Sequence, residues 1–409
     1  MPHKFYHYSV CIAIKIIRMT KRTFLWYDMA DKIVKMHKNS TERSVCMAIL
    51  DRLLSECIRD VDQLGEYLHF REDDAKRIKE ISKRYPICVP PYYLGLINPD
   101  DPDDPVRRIC IPGMQELSGT GMEDTSGEGD NTVIRGMQHK YRQTALILTT
   151  NQCSMYCRFC FRKRMVGYSG NEIAEYVPKM AEYVEQHTEI NNVLLSGGDA
   201  LVNSNDNIRM YLDAFSKIPT LDFIRIGTRT PVVLPMRIYE DEELLDILRE
   251  YNKKKQILIV THFNHPNEIT PEATKAVKTL IGCGLVIRNQ TVLLRGVNDD
   301  PQTMAYLLNR LVSIGVIPYY VFQCRPARGA LDEFQIPLLR GSQIMEEARK
   351  LMSGQAKSIH YCMSHVTGKI EILGCIEDGR MLFKYHQAKY ERDDSRIFLE
   401  KLEEDQCWL

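Results

Sequence analysis

From about residue 140 the chain alternates short aliphatic runs with longer amphipathic stretches. The runs are ALILTT, NNVLLSG, DFIRIGT, QILIVTH, VIRNQTVLL and IPYYVFQ, and between them lie segments such as NEIAEYVPKMAEYVEQH and PEATKAVKTLIGCG, apolar at helical spacing. Runs that are apolar almost throughout belong to parallel strands covered on both faces. About six βα units in succession predict an α/β fold, a partial or full (β/α) barrel. In such barrels function collects where the strands end. Here each run leads into polar or glycine-rich chemistry: Cys153, Cys157 and Cys160 after the first, SGGD after the second, TRT after the third, THFNH after the fourth, RNQ at the fifth and QCR after the sixth. Six tips converging on one mouth predict one site.

The rest of the chain divides around this unit. Residues 1–95 read as a helical N-terminal region, because 20–87 alternates charged and apolar positions at helical spacing with no strand-like segment. Residues 96–134 read as an irregular connector dense in Pro and Asp, and SGTGMEDTSGEGDNT at 118–132 within it as a surface loop or lid edge. The barrel is assigned to 135–340 and a C-terminal α+β extension to 341–409. The apolar run VCIAIKIIR at 10–18 is interrupted by Lys15 and too short to span a bilayer, so neither export nor an anchor is expected; Met19 offers an alternative start.

Composition narrows the classes. Fifty-four basic residues balance 54 acidic ones, which removes any overall electrostatic reason to expect nucleic acid or an anionic membrane as partner. Thirteen cysteines, an odd number without a secretory signal, indicate reduced thiols in a cytoplasmic protein.

Three of those thiols stand in CSMYCRFCFRKR at 153–164, where Cys153, Cys157 and Cys160 fall at spacings of four and three. Thiolates so placed reach one soft metal centre, and three ligands leave a position open. A zinc site completed by His139 or another cysteine, or three unrelated buried cysteines, are the competing readings. Tyr156 and Phe159, each directly before a cysteine, favour a 4Fe-4S cluster.

The strings DPDDPVRRICIP, NQCSMYCRFCFRKRMVG, VLLSGGDAL, IRIGTRTPVVLPMRI, THFNHPNEIT and NQTVLLRGVND, spread over about 97–390, resemble radical S-adenosylmethionine (SAM) enzymes of the lysine 2,3-aminomutase group. The resemblance implies the partial (β/α)6 form of the barrel and a 4Fe-4S cluster on Cys153, Cys157 and Cys160, with Ser196, Gly197, Gly198, Asp199, His262 and Gln290 beside SAM. It further implies pyridoxal 5′-phosphate as a Schiff base on Lys369, contacted by Lys140 and Tyr141, and a substrate carboxylate gripped by Arg162. The reaction implied is migration of an α-amino group to the β-carbon through a 5′-deoxyadenosyl radical. A small-molecule amino acid as substrate, a flavodoxin or ferredoxin as reductant and a homo-oligomer are implied by the same route.

Two departures from the group bear on substrate and metal. Where the lysine enzymes place a carboxylate just past the sixth strand, this chain has Arg325, and the segment LMSGQAKSIHY that would carry a second carboxylate contains no acid. This favours a non-basic substrate such as glutamate over lysine. Thr144 stands where a second phosphate arginine is usual, with Arg142 as a substitute. The group's C-terminal cysteine cluster is missing, so no structural zinc is expected. A radical SAM enzyme without pyridoxal and a non-catalytic zinc protein remain the alternatives.

Overall fold

The computed structural model describes residues 48–168 and 172–409. The apolar run at 10–18, the Met19 start and the first part of the expected helical region lie outside them. The remainder of that region is helical, in segments Ile49–Ser55, Val61–Gly65 and Glu72–Arg84. The 96–134 connector is more ordered than its composition implies: it holds helices Pro105–Cys110 and Glu128–Asn131 and a 3-10 turn at Met114–Leu117. Asp104 starts the first of these by accepting from the backbone N–H of Val106 (2.8 Å) and Arg107 (2.9 Å), with Pro105 at the first helical position.

Among the described residues twelve strands form one sheet in sequence order: β1 (Thr132–Ile134), β2 (Met137–Tyr141), β3 (Thr144–Thr150), β4 (Asn192–Gly197), β5 (Phe223–Gly227), β6 (Gln256–Thr261), β7 (Val286–Leu293), β8 (Ile317–Gln323), β9 (His360–His365), β10 (Gly368–Cys375), β11 (Met381–Ala388) and β12 (Ile397–Glu400). All six predicted strands are present, as β3 to β8, and they pair in parallel. A seventh parallel strand, β9, joins β8 from the segment assigned to the C-terminal extension. Antiparallel ribbons flank this run, β1 and β2 before it and β10 to β12 after it.

Helices Val177–Gln186, Asn205–Ser216, Glu242–Lys254, Pro271–Gly282, Pro301–Ile314 and Leu338–Leu351 connect successive parallel strands. Four begin on capping side chains written into the sequence: Ser204, Asp241, Thr270 and Asp300 each accept a backbone N–H three residues on. Their apolar stripes cover the outer face of the sheet, where Ile147, Val193, Ile224, Ile257 and Ile259 meet Leu248, Val277 and Leu311, all fully buried. Each such side chain contributes about 1.5–3 kcal/mol of burial. The inner face is different: its side chains from β2 through β11 line a single cavity, so the sheet curls into a partial barrel. Lys140 on β2 spans the gap by donating to the carbonyl of His365 at the end of β9 (2.5 Å).

Candidate active site

The cavity has a volume of about 370 Å³, and residues at the carboxyl ends of the parallel strands form much of its lining. The loop after β3 brings Cys153, Cys157 and Cys160 to its wall. Three backbone bonds fold that loop: Tyr156 N–H to Cys88 O (3.1 Å), Arg158 N–H to Ile109 O (2.8 Å) and Cys160 N–H to Cys157 O (3.1 Å). The cationic run that comes next is not a basic surface. Arg158, 1% exposed, donates through Nε to Glu116 Oε1 (2.9 Å) and through Nη1 to the Pro86 carbonyl (3.0 Å), and Lys163 shares the same carboxylate. Glu116 stays below the ordinary carboxylate range because Arg158 and Lys163 together outweigh its burial.

Burial raises the affinity of all three thiols for their protons, Cys160 to about 11 and Cys153 well beyond its ordinary value. Arg229 opposes this at Cys157, with Nη1 2.7 Å from Sγ. The same guanidinium donates to the His262 carbonyl (3.0 Å), Tyr93 Oη (3.2 Å) and the buried Glu268 carboxylate, so it is fixed from four sides. Three reduced thiols on one wall, one beside a cation, are a donor set suited to a soft metal centre.

The SGGD segment ends β4 on the same wall. Gly197 adopts φ +117°, and a Cβ on Gly198 would lie 2.2 Å from the Gln152 carbonyl, so both glycines are required by the backbone itself. Ser196 lines the cavity. Asp199 is turned into the protein, where it accepts from Thr228 Oγ1 (2.6 Å) and from the backbone N–H of Arg229 (2.7 Å) and Leu201 (3.0 Å). His262 faces the cavity with a buried Nε2 that has no hydrogen-bond partner, and burial followed by Arg229 hold the ring neutral, its pKa about 3. Gln290 on β7 also lines the cavity.

Lys369 sits on β10, directly after the turn that joins it to β9, and its Nζ points across the lumen. It donates to Gln387 Oε1 (3.0 Å) and lies 4.1 Å from the centre of the Tyr320 ring. Burial above all, with Arg225, Arg325 and Lys140 adding to it, lowers its pKa to about 7. About half of this amine is therefore neutral and nucleophilic near pH 7. Lys140 and Tyr141 stand beside it on the cavity wall.

Residues 147–307 match the Radical SAM superfamily. An L-lysine 2,3-aminomutase of Clostridium subterminale is 40% identical over 300 residues, covering 73% of this chain and 71% of that one. The chain belongs to the lysine 2,3-aminomutase family. A protein of Aquifex aeolicus provisionally given the same name is 40% identical over 340 residues (83% of this chain, 90% of that one), and a glutamate 2,3-aminomutase of Clostridioides difficile is 36% identical over 305 (74% and 71%). It is accordingly an isomerase of the radical SAM class, whose members carry a 4Fe-4S cluster and use SAM. No helix among the described residues is long and apolar enough to cross a membrane.

Within this aminomutase several expected residues have partners of their own. Arg162 lines the cavity, but its Nε (2.9 Å) and Nη2 (2.7 Å) are donated to Glu128 Oε1, while Nη1 faces Ser196 Oγ (3.3 Å) and the Gly197 carbonyl (3.2 Å). Gripping a substrate carboxylate requires Glu128 to yield. Glu128 escapes sequence reasoning: its segment reads as a surface loop, yet Thr125, Ser126 and Glu128 are buried, and Ser126 and Glu128 form one side of the cavity. Nothing in that Gly, Ser and acid composition distinguishes a wall from a loop. Arg229, which reaches Cys157, stands in the TRT string at the third strand end, where spacing alone assigns it no role. His139 does not approach the cysteines, because its ring bonds Tyr183 Oη (3.0 Å) and the Arg142 carbonyl (3.1 Å). Arg142 is exposed and away from the cavity, so it does not substitute for the missing phosphate arginine.

Proposed function

We propose that the chain is a pyridoxal phosphate-dependent 2,3-aminomutase acting on an amino acid with a distal carboxylate, glutamate being the nearest in length. Cys153, Cys157 and Cys160 hold three irons of the cluster, and Ser196, Gly197, Gly198, His262 and Gln290 receive SAM beside it. Lys369 carries the pyridoxal cofactor. When bound, the cluster and SAM supply the hydrogen-abstracting radical, and pyridoxal carries the amino group from the α- to the β-carbon. The chain's residues hold substrate and cofactors in contact and keep water out. A flavodoxin- or ferredoxin-like reductant would supply the electron.

One observation carries the substrate reading: Arg325 faces the cavity with no carboxylate partner among the described residues. Its Nη1 meets Ser126 Oγ and its guanidinium stacks 3.9 Å from the centre of the Phe161 ring. The acids that come after it in sequence are engaged elsewhere, Asp332 with Ser118 and Thr120 and Glu333 with Arg108 (2.9 Å). A lysine substrate would bring its ammonium towards this guanidinium at a cost of about several kcal/mol, as like-charge juxtaposition does at interfaces. Most of the similar proteins are named for lysine, so lysine is the reading to beat.

The test is turnover of glutamate, glutamine, alanine and lysine by the reconstituted enzyme and by Arg325→Asp. Wild type should prefer a non-basic substrate and the variant should lose that preference; efficient lysine isomerisation by wild type overturns the reading. Loss of SAM cleavage in Cys153→Ala, Cys157→Ala and Cys160→Ala tests the ligand set, and borohydride reduction followed by peptide mapping tests Lys369.

A further inference from the structure

The buried arginines around this barrel are neutralised one by one: Arg158 by Glu116, Arg162 by Glu128, Arg229 by Glu268 and Arg237 by Asp241. Arg225, half-buried, has no such partner among the described residues, and of the cavity arginines it shares this only with Arg325 at the mouth of β8. Arg225 projects from β5 into the lumen of the cavity, and its polar contacts are neutral: Nη2 donates to Asn192 Oδ1 (2.6 Å) and Thr144 Oγ1 (3.4 Å). Its Nε is buried with no hydrogen-bond partner. The surroundings compound the charge. Arg288, on β7, also has a buried unpartnered Nε and packs 4.7 Å from the Tyr319 ring centre instead of an acid. Lys369 and Lys140 line the same lumen, and Glu371 on β10 is turned to His360 (2.8 Å).

An isolated charge taken out of water costs far more than a hydrogen bond to an amide or hydroxyl returns. A fold that neutralises four buried arginines and leaves a lumen-facing one without an acid has left room for an anion that arrives from outside. A planar guanidinium with a free edge is suited to phosphate, an anion it can grip in two-point fashion. We infer that Arg225, with Thr144 hydrogen-bonded to it and Lys140 lining the same cavity, is the anion subsite that takes the phosphate ester of the cofactor held by Lys369. The hydroxyl of Thr144 leaves space for a guanidinium reaching in from across the sheet, so the charge is delivered by β5 and not by β3. This inference rests on the pyridoxal reading of Lys369, and the experiment separates the two.

Binding of pyridoxal phosphate and of pyridoxal, which lacks the phosphate, is measured by absorbance titration of the full-length protein, with inorganic phosphate as competitor. Wild type should bind the phosphorylated form on the order of a hundredfold more tightly, and inorganic phosphate should compete. In Arg225→Gln the preference should fall by tenfold or more, the loss expected for one charged hydrogen-bonding group. Because that variant alters a buried site, Thr144→Asp is the second arm: it gives the Arg225 guanidinium a carboxylate of the protein's own and should remove both the preference and the competition by inorganic phosphate. Absence of an imine on Lys369 in wild type overturns the pyridoxal reading. An imine on Lys369 together with an undiminished phosphate preference in either variant overturns the role of Arg225 alone.

Discussion

Glu128→Gln is the most exposed test of how the cavity wall is held. The carboxylate is 3% exposed and accepts from Arg162 at 2.9 and 2.7 Å on one oxygen and from Arg164 at 2.7 Å on the other. Burial disfavours its charge, but the two guanidinium groups more than offset that and bring its pKa down from 4.5 to about 2. Holding the carboxyl at about 2 instead of 4.5 corresponds to about 3 kcal/mol. Removing one partner of a buried pair costs about 3–5 kcal/mol, which agrees. Arg164 keeps Glu172 (2.7 Å), so the lower figure applies. At about 2.1 cal/mol/K of unfolding entropy per residue, 3 kcal/mol over the Ile49–Leu409 unit lowers Tm by about 4 °C. The pH dependence has a fixed sign. The folded pKa lies below the unfolded one, so the stabilisation is complete above about pH 4.5 and fades as the pH falls towards 2. Urea unfolding of wild type and Glu128→Gln from pH 7 to pH 4 should show a constant gap down to about pH 5 and a narrowing gap below it. A gap under 1 kcal/mol at pH 7, or one that widens on acidification, refutes the assignment of Glu128 as the buried counter-ion of Arg162.

Three further outcomes rest on the same geometry. Borohydride-trapped pyridoxal on Lys369 should form at a rate that rises with pH through about 7 and then levels, since the amine is half neutral there; a midpoint near the ordinary lysine value would remove the burial argument. Arg229→Gln strands the buried Glu268 and frees Cys157, so stability should fall by about 3–5 kcal/mol, lowering Tm, and iron content after reconstitution should drop with it; full iron at unchanged Tm contradicts the link. Gly198→Ala forces a methyl against the Gln152 carbonyl and should weaken SAM binding measured by equilibrium dialysis, with a stability loss of about 1–3 kcal/mol; wild-type affinity would show that the loop accommodates a side chain.

The parts that could be read in the sequence were those governed by local rules. Strand and helix alternation and the ordering of polar residues at strand ends are properties of short windows, and the alternation located β3 to β8. Lys369 owes its place to both levels: VTGKIEIL forms a turn and a strand, and the lysine lines the lumen from β10. What escaped was set by long-range pairing. Glu128 acquires its meaning from Arg162, 34 residues away, Glu116 from Arg158, 42 away, and Arg225 from Asn192 and Thr144 on two other strands. Charge neutralisation in a core is decided by which strands become neighbours, and composition alone cannot order it.

The distribution of uncompensated charge around the lumen then constrains the chemistry more tightly than any single residue. On the wall beside the cysteines, arginines are matched to carboxylates, Arg162 to Glu128 and Arg229 to Glu268, so that wall can hold a cluster and a sulfonium without a large local field of either sign. Arg325, just past β8, and Arg225, within β5, are both unmatched cations, with Lys369 exposed to the field of each. A ligand set that neutralises this arrangement carries negative charge at two places and an imine-forming group within reach of Lys369. A phosphorylated aldehyde bound with an acidic amino acid meets that requirement. Pyridoxal phosphate bound with lysine would leave Arg325 facing a second cation in a protein cavity, where like charges are less screened than on the surface.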